Sequence, residues 1–301
     1  MDTLVYSGFP LNICRECLMP NHPDGITINI NPVAFHIGSL EVQWHGIMIM
    51  LGILVAVIII SLLARKKGIP QSFIYSVTIW AVIGGIIGAR LFHVMDNFDL
   101  YENHLWKIFD VQQGGLAAWG GLIGGTLATV IYVKYFNDQH INLSQFVDIA
   151  IPALIVAQII GRVGCTINGD ATGHTTSMPW GFIYSNPKAL ALVPSHSLFN
   201  VPTHPYPIYE MIFNFFCLLI LLIIRKKLTV DGMLFWAYAG MYSIGRIWLT
   251  IYRQEPIVFL RMQEAQVVGI ISLVISATAL IYFWRKKSTE VQQESQPVDK
   301  G

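Results

Sequence analysis

The sequence predicts an all-α integral membrane protein with seven transmembrane helices, its N-terminus outside and its C-terminus cytoplasmic. Its outer loops form a small extracytoplasmic head. Three observations carry this reading. Only 12% of the 301 residues are charged, against about 25% in an ordinary soluble domain. The hydrophobic share is 54% and the mean hydropathy is +0.54. A soluble chain of this length cannot hide so much apolar surface, because roughly a quarter of the unfolded chain's surface stays wet. Finally, the apolar residues fall in seven long runs, each near the ~20 residues that span a hydrocarbon core. This composition excludes a soluble globular enzyme, a disordered protein and a secreted disulfide scaffold. A net charge of +1 leaves no basic face for nucleic acid. Cysteines at 14, 17, 165 and 217 make no disulfide framework.

The runs cover residues 44–64, 73–95, 115–136, 145–164, 207–224, 232–252 and 265–284. The first, Trp44 to Ala64, holds one His and no formal charge. Each run is continuous, whereas barrel strands alternate over about ten residues. In lipid the backbone must satisfy itself, so each run is a helix. Basic residues in short loops set the orientation. Arg65-Lys66-Lys67, Lys134, Arg225-Lys226-Lys227 and Arg285-Lys286-Lys287 follow the odd-numbered spans and mark one side as cytoplasmic. Residues 1–40 are then a translocated tail with no cleavable signal peptide. Its Cys14 and Cys17 are either dispensable or a local disulfide or metal clip, and the structured chain begins as late as Ile26 if the start is misassigned. Residues 41–287 form the membrane domain, with outer loops at 96–114, 165–206 and 253–264. Residues 288–301 are polar and read as a disordered cytoplasmic tail.

Ionisable residues at membrane depth are costly and mark function. Arg90, Arg162, Arg246 and Arg253 all fall toward the outer ends of their spans. Four guanidinium groups at one depth suggest an anion site, because the planar fork matches phosphate or carboxylate. Snorkelling at a helix end is the bland alternative. Glycines 84, 85 and 88, and 114, 115, 120, 121, 124 and 125, serve close helix packing. The densest constellation is Gly161-Arg-Val-Gly-Cys-Thr-Ile-Asn-Gly-Asp-Ala-Thr-Gly173, where span four leaves the membrane. Its glycines let backbone N–H groups approach an anion. Arg162 forks a phosphate, Asn168 donates and accepts, and Asp170 orients Arg162 or takes a proton. Tyr242 lies four residues before Arg246, on the same helical face.

At these residues the sequence resembles the prolipoprotein diacylglyceryl transferase family, from about Ile28 to Ala277. GRVGCTINGDATG resembles the family signature. Val42-Gln-Trp-His-Gly46 looks like the opening of its first span, and Gly88-Ala-Arg-Leu91 like the end of its second. Gly114-Gly-Leu116 through Trp119-Gly-Gly121 resembles the entry to the third. Thr176–Gly181 follows the signature as in many members. His204-Pro205 with Tyr209-Glu210, Tyr242 with Gly245-Arg246, Arg253-Gln254, and Gln266 complete the series.

The resemblance implies transfer of the sn-1,2-diacylglyceryl group of phosphatidylglycerol to the lipobox cysteine thiol of a prolipoprotein. A thioether forms and glycerol-1-phosphate leaves. The site faces the outer side of the bacterial cytoplasmic membrane, phosphatidylglycerol arrives laterally from the bilayer, and no metal or soluble cofactor is expected. Arg162, Arg246, Tyr242, Asp170 and His45 are then the candidates for catalysis. Arg162, Arg90, Asn168, Gly173 and Arg253 are candidates for phospholipid binding. Trp119, His204, Tyr209, Glu210 and Gln266 are supporting residues.

The sequence departs from the family pattern at five positions. His45 stands where Tyr is common, Trp119 where many members carry a His proposed as base, Cys165 where Asn is usual, Asp170 where Glu is common, and Thr250 where a Glu often follows the arginine. The thiol-activating base is therefore open among His45, His93, Asp170, His174 and His204, with His45 the sharpest. Cys165 reads as a small buried residue, since the substrate supplies its own thiol. Two other readings compete: an inactive phospholipid-binding paralogue, and a small anion transporter. Transporters show internal repeats and midplane charges, and neither is visible here.

Overall fold

Seven helices make up most of the chain in the computed structural model, which describes residues 25–38, 40–102, 106, 108, 117–137, 139–189, 198–253, 257–259 and 262–294. Helix α1 (Trp44–Lys66) is an uninterrupted apolar run ending at Arg65-Lys66. Pro70, extended at φ −65°, leads into α2 (Gln71–Asp96), consistent with the preset φ of proline at a helix entry. After α3 (Ala118–Tyr135), Asn142 caps α4 (Leu143–Asn168) by accepting the Ser144 N–H. Helix α5 (Tyr206–Ile224) opens with Pro207 in its first turn. Helix α6 (Met233–Leu249) starts after Gly232 at φ +95°. There the Asp148 carboxylate accepts the N–H of Gly232 at 2.8 Å and of Phe235 at 2.9 Å. A carboxylate on the exposed amides of a helix N-terminus is favoured by both hydrogen bonding and the helix dipole. Helix α7 is Glu264–Glu294.

Five helices (α1, α2, α4, α5 and Glu264–Lys286 of α7) are long and apolar enough to cross a membrane. The other two, α3 and α6, coincide with predicted runs but are shorter, at 18 and 17 residues. Many large apolar side chains point outward. On α1 alone Ile49, Met50, Leu54, Ile58 and Leu62 are exposed. Apolar surface on that scale marks contact with a membrane or partner.

Three expectations about extent are corrected. Residues 26–28 and 33–37, assigned above to the tail, are strands. β1 (Ile26–Ile28) pairs parallel with β4 (Phe182–Tyr184), and β2 (Val33–Ile37) forms a hairpin with β3 (Leu40–Gln43). β1, Ile-Thr-Ile, is wholly β-branched, and β2 carries Val33, Phe35 and Ile37 at alternate positions, both favourable for strands. Helix α4 runs to Asn168, so Cys165 and Asn168 stand on its last turn and not in the loop. The helix stops at Gly169, whose φ of 72° suits glycine and whose N–H bonds Cys165 O. Helix α7 continues to Glu294, into the segment expected to be disordered. Its Glu and Gln residues are good helix formers. Cys14, Cys17, residues 114–116, Gln254 and residues 295–301 lie outside the described residues.

Helix α4 is the hub. Its Ile149 and Ala153 share a core with Ala56 and Ile60 of α1 and Phe73 and Ile74 of α2, and its Ile151 and Ile155 share another with Leu221 of α5 and Leu234 of α6. Helices α2 and α3 meet backbone to backbone. A Cβ on Gly88 would lie 2.3 Å from Gly120 O, and one on Gly124 2.3 Å from Gly84 O. Only glycine permits that approach. At one end of the bundle, β5 (Pro202–Thr203) extends the β1–β4 sheet. A further hairpin, β6 (Ile257–Phe259) with β7 (Met262–Gln263), leads into α7. These strands cover the end where α1, α5 and α7 begin and α4 and α6 finish. The site residues gather there.

Candidate active site

The C-terminal parts of α4 and α6 and the N-terminal part of α5 converge on Glu210. This carboxylate is 4% exposed. Arg162 Nε approaches its Oε2 at 2.5 Å, and Arg246 Nη1 donates to its Oε1 at 2.9 Å. Tyr206 OH donates to the same Oε1 at 3.0 Å and accepts from Arg246 Nη1 at 3.0 Å. Tyr206 and Glu210 are four apart on α5, hence on one face. The Tyr242 ring lies 6.0 Å from the Arg246 guanidinium, and the Tyr206 ring 5.4 Å from that of Arg253. Both are within cation–π range. Among the described residues, the Nη2 groups of Arg162 and Arg246 carry no hydrogen bond. A cavity of about 10 Å³, the space of one water, opens between Glu210, Asn214, Tyr242 and Arg246.

A second cluster adjoins the first. Arg162 Nη1 lies 3.6 Å from Cys165 Sγ. Cys165 Sγ is 3.8 Å from His45 Nδ1, and that nitrogen is 3.4 Å from Asp170 Oδ2. Helix α1 reaches this point because Gly164 leaves no side chain against it: a Cβ there would lie 2.8 Å from His45 Cα. Burial pushes the Asp170 carboxyl above its usual range, against the opposing charge of His45. Burial likewise raises the Tyr184 phenol, and the nearby Asp170 charge adds to it. Tyr184 OH donates to Thr166 O, tying β4 to the end of α4. Asn168 Nδ2 donates to Gln43 Oε1 at 3.4 Å.

Supporting residues hold the head in register. Gly173 bridges to Arg253, and a Cβ on it would meet Tyr252 O and His204 Cβ, each at 2.6 Å. Trp180 Nε1 donates to Tyr209 OH, which lies 3.1 Å from His204 Nδ1. Burial, and then His174, lower the His204 pKa. Gln266, in the first turn of α7, accepts from Gln263 N at the end of β7 and donates to Ile247 O of α6. Thr250 Oγ1 donates to Arg246 O.

Sequence reasoning and geometry differ in three respects. The carboxylate in contact with Arg162 is Glu210, a residue expected only to support; Asp170 pairs with His45 instead. Arg90 is held at a different place, its Nε donating to Ile108 O at 2.7 Å and its guanidinium 5.2 Å from the Tyr101 ring. His93 stacks edge-on with Tyr101, and Trp119 is 49% exposed at the start of α3. Tyr206 and Gln43 were missed. The Tyr-x-x-x-Glu spacing from 206 to 210 was the available signal for the first, and the place of Gln43 in the Val42–Gly46 stretch beside His45 was the signal for the second.

Fold and site together define a helical protein of membrane composition that presents a carboxylate-bridged arginine pair suited to an anion. Within that class the chain belongs to the prolipoprotein diacylglyceryl transferase family, whose family model matches residues 32–282. It is 36% identical to the phosphatidylglycerol–prolipoprotein diacylglyceryl transferase of Dehalococcoides mccartyi strain BAV1 over 261 residues, covering 86% of this chain and 96% of that one. The transferases of the same name from Lysinibacillus sphaericus strain C3-41 and Clostridioides difficile strain 630 are 33% and 32% identical. These matches cover 86% and 87% of this chain, and 94% and 99% of the relatives.

Proposed function

We propose that this chain transfers the diacylglyceryl group of phosphatidylglycerol to the cysteine thiol of prolipoproteins. The observation that carries the reading is the Arg162–Glu210–Arg246 bridge, whose three residues all lie within the stretch that the family model matches. Attack at the glyceryl carbon expels a phosphate monoester, which gathers negative charge as the C–O bond breaks. Preorganised cationic donors stabilise that charge more in the transition state than in the ground state. Arg162 and Arg246 supply them. Glu210 fixes both guanidinium groups, with Tyr206 added on Arg246, and their Nη2 groups remain to donate to the phosphate. Tyr242 hydrogen-bonds the phosphate or glycerol, and Asn168, Gly173 and Arg253 complete the phospholipid contacts.

The substrate thiol, of pKa ~8.5, must be ionised to attack. We assign that task to the group around His45 and Asp170, beside the positive field of Arg162. The seven helices all cross the bilayer of the bacterial cytoplasmic membrane, with the strand-covered end outside. Phosphatidylglycerol enters from the bilayer and the prolipoprotein's lipobox from the outer face. Purified protein in micelles, given phosphatidylglycerol and a lipobox peptide, makes a diacylglyceryl-peptide adduct visible by mass spectrometry. Arg162→Ala lowers the rate by about 10²–10³, the usual loss for one oxyanion donor. A folded parent that makes no adduct defeats the reading.

A further inference from the structure

Three of the departures from the family pattern meet in space. His45, Cys165 and Asp170 come from the start of α1, the end of α4 and the turn beyond it. Their Nδ1, Sγ and carboxylate oxygen all lie within 4.8 Å of one another. These are three different metal-ligating groups, and the two separations from His45 Nδ1 are those of a tetrahedral centre. Zinc bonds of about 2.0–2.1 Å to N, 2.3 Å to S and 2.0–2.2 Å to O at tetrahedral angles put N and S about 3.6 Å apart and N and O about 3.4 Å apart. The observed separations are 3.8 Å and 3.4 Å. Asp170 Oδ1 is buried with no hydrogen-bond partner among the described residues, which leaves a carboxylate oxygen desolvated and unspent.

We propose that His45, Cys165 and Asp170 bind a zinc-class divalent cation whose open fourth position takes the thiolate of the substrate cysteine. The metal site stands on its own geometry; the role of the fourth position rests on the transfer reaction proposed above. Three protein ligands and one open position is the pattern of a catalytic zinc, whereas structural zinc takes four protein ligands. The charges also close. A dication with the Cys165 thiolate, the Asp170 carboxylate and a neutral imidazole sums to zero. Arg162, at 3.6 Å from Cys165 Sγ, then faces an anionic centre once a second thiolate joins. Its own charge is already shared with Glu210, so it does not expel the cation.

A coordinating thiol is deprotonated outright. The substrate S–H bond therefore breaks on binding, and its proton passes to water. The sulfur lone pair forms the C–S bond as the glyceryl C–O bond breaks, and its electrons leave on glycerol-1-phosphate. The neutral thioether is a weak ligand and departs. His45 and Asp170 thus activate the thiol through a metal and not as a bare base.

The test uses the full chain in micelles with Cys14 and Cys17 changed to Ser, which removes the other thiol pair able to hold a metal. The protein is stripped with chelator and titrated with Co²⁺ alone. The parent takes one Co²⁺ per chain and shows the near-ultraviolet thiolate-to-cobalt charge-transfer band. Cys165→Asn, the residue usual in the family, loses the band. The triple change His45→Tyr, Cys165→Asn, Asp170→Glu loses the bound metal, while circular dichroism shows the helices retained. A lipobox peptide strengthens the parent's band without phospholipid present, and a peptide with serine for cysteine does not. A parent that binds no stoichiometric Co²⁺, or a band that survives Cys165→Asn, overturns the site. A metal-stripped protein that makes adduct at the parent rate overturns the thiolate role and leaves the transfer reaction standing. No adduct in any metal state defeats the transfer reaction and leaves the cobalt result to decide the site.

Discussion

Glu210→Gln isolates the charge that joins the two arginines. The substitution keeps an acceptor oxygen for Tyr206 and Arg246 and removes one negative charge from a residue that is 4% exposed. At the observed 2.5 and 2.9 Å, each ionic contact is worth about 6–7 kcal/mol gross at an effective dielectric of ~20. Most of that is offset by the desolvation of the three ions, and removing one partner of a buried pair costs about 3–5 kcal/mol. Because Gln retains two hydrogen bonds, the lower end applies. About 3 kcal/mol lowers the midpoint of thermal unfolding by about 6–12 °C at the ~2–4 °C per kcal/mol of larger domains. Transfer falls further than stability, since two guanidinium groups lose their anchor and a shift of about 1 Å costs roughly 10²-fold. Tryptophan fluorescence on heating and the peptide-adduct assay measure the two effects. A Glu210→Gln protein with parental unfolding and parental adduct rate refutes the argument that this carboxylate holds the pair.

Gly88→Ala forces a methyl to within 2.3 Å of Gly120 O. It should cost at least the ~1–3 kcal/mol of an overpacked site, read as a lower unfolding midpoint, whereas Gly46→Ala, with open space at its Cβ, changes it little. Asp148→Asn removes the charge that accepts two N–H groups at the start of α6 and lowers stability by about 1–2 kcal/mol; an unchanged midpoint contradicts that capping role. His204 has its folded pKa lowered from 6.5, first by burial and then by His174. The unfolded chain therefore takes up its proton first as pH falls. The stability tied to this neutral imidazole is complete above about 6.5 and is lost as pH falls through the folded value. Unfolding midpoints between pH 8 and 5 should drop more for the parent than for His204→Gln.

Much of the architecture was legible because its causes are local. Uninterrupted apolar runs with basic ends specify helices whatever their neighbours are, so the predicted runs and the helices coincide within four residues at every end but the last. The glycine faces of α2 and α3 were legible for the same reason, since a small-residue stripe has few uses besides close approach. Limits of elements were less legible. Cys165 to Asn168 reads as loop when apolarity alone is followed, but the helix ends at its left-handed cap, Gly169. Ile26–Ile28 reads as tail because its partner Phe182–Tyr184 is more than 150 residues away.

The sequence by itself determined the helices, the concentration of arginine and glycine at one end of the spans, and the family to which the chain belongs. Composition, spacing and motif order are written in consecutive residues. The tertiary structure alone decided who partners whom. It gave Arg162 to Glu210 and not to Asp170, set Arg90 against Ile108 and Tyr101, and brought His45, Cys165 and Asp170 together. Those choices follow from the register in which α1, α4, α5 and α6 pack. A slide of one turn, about 5.4 Å, would separate every one of these pairs without altering a single apolar run.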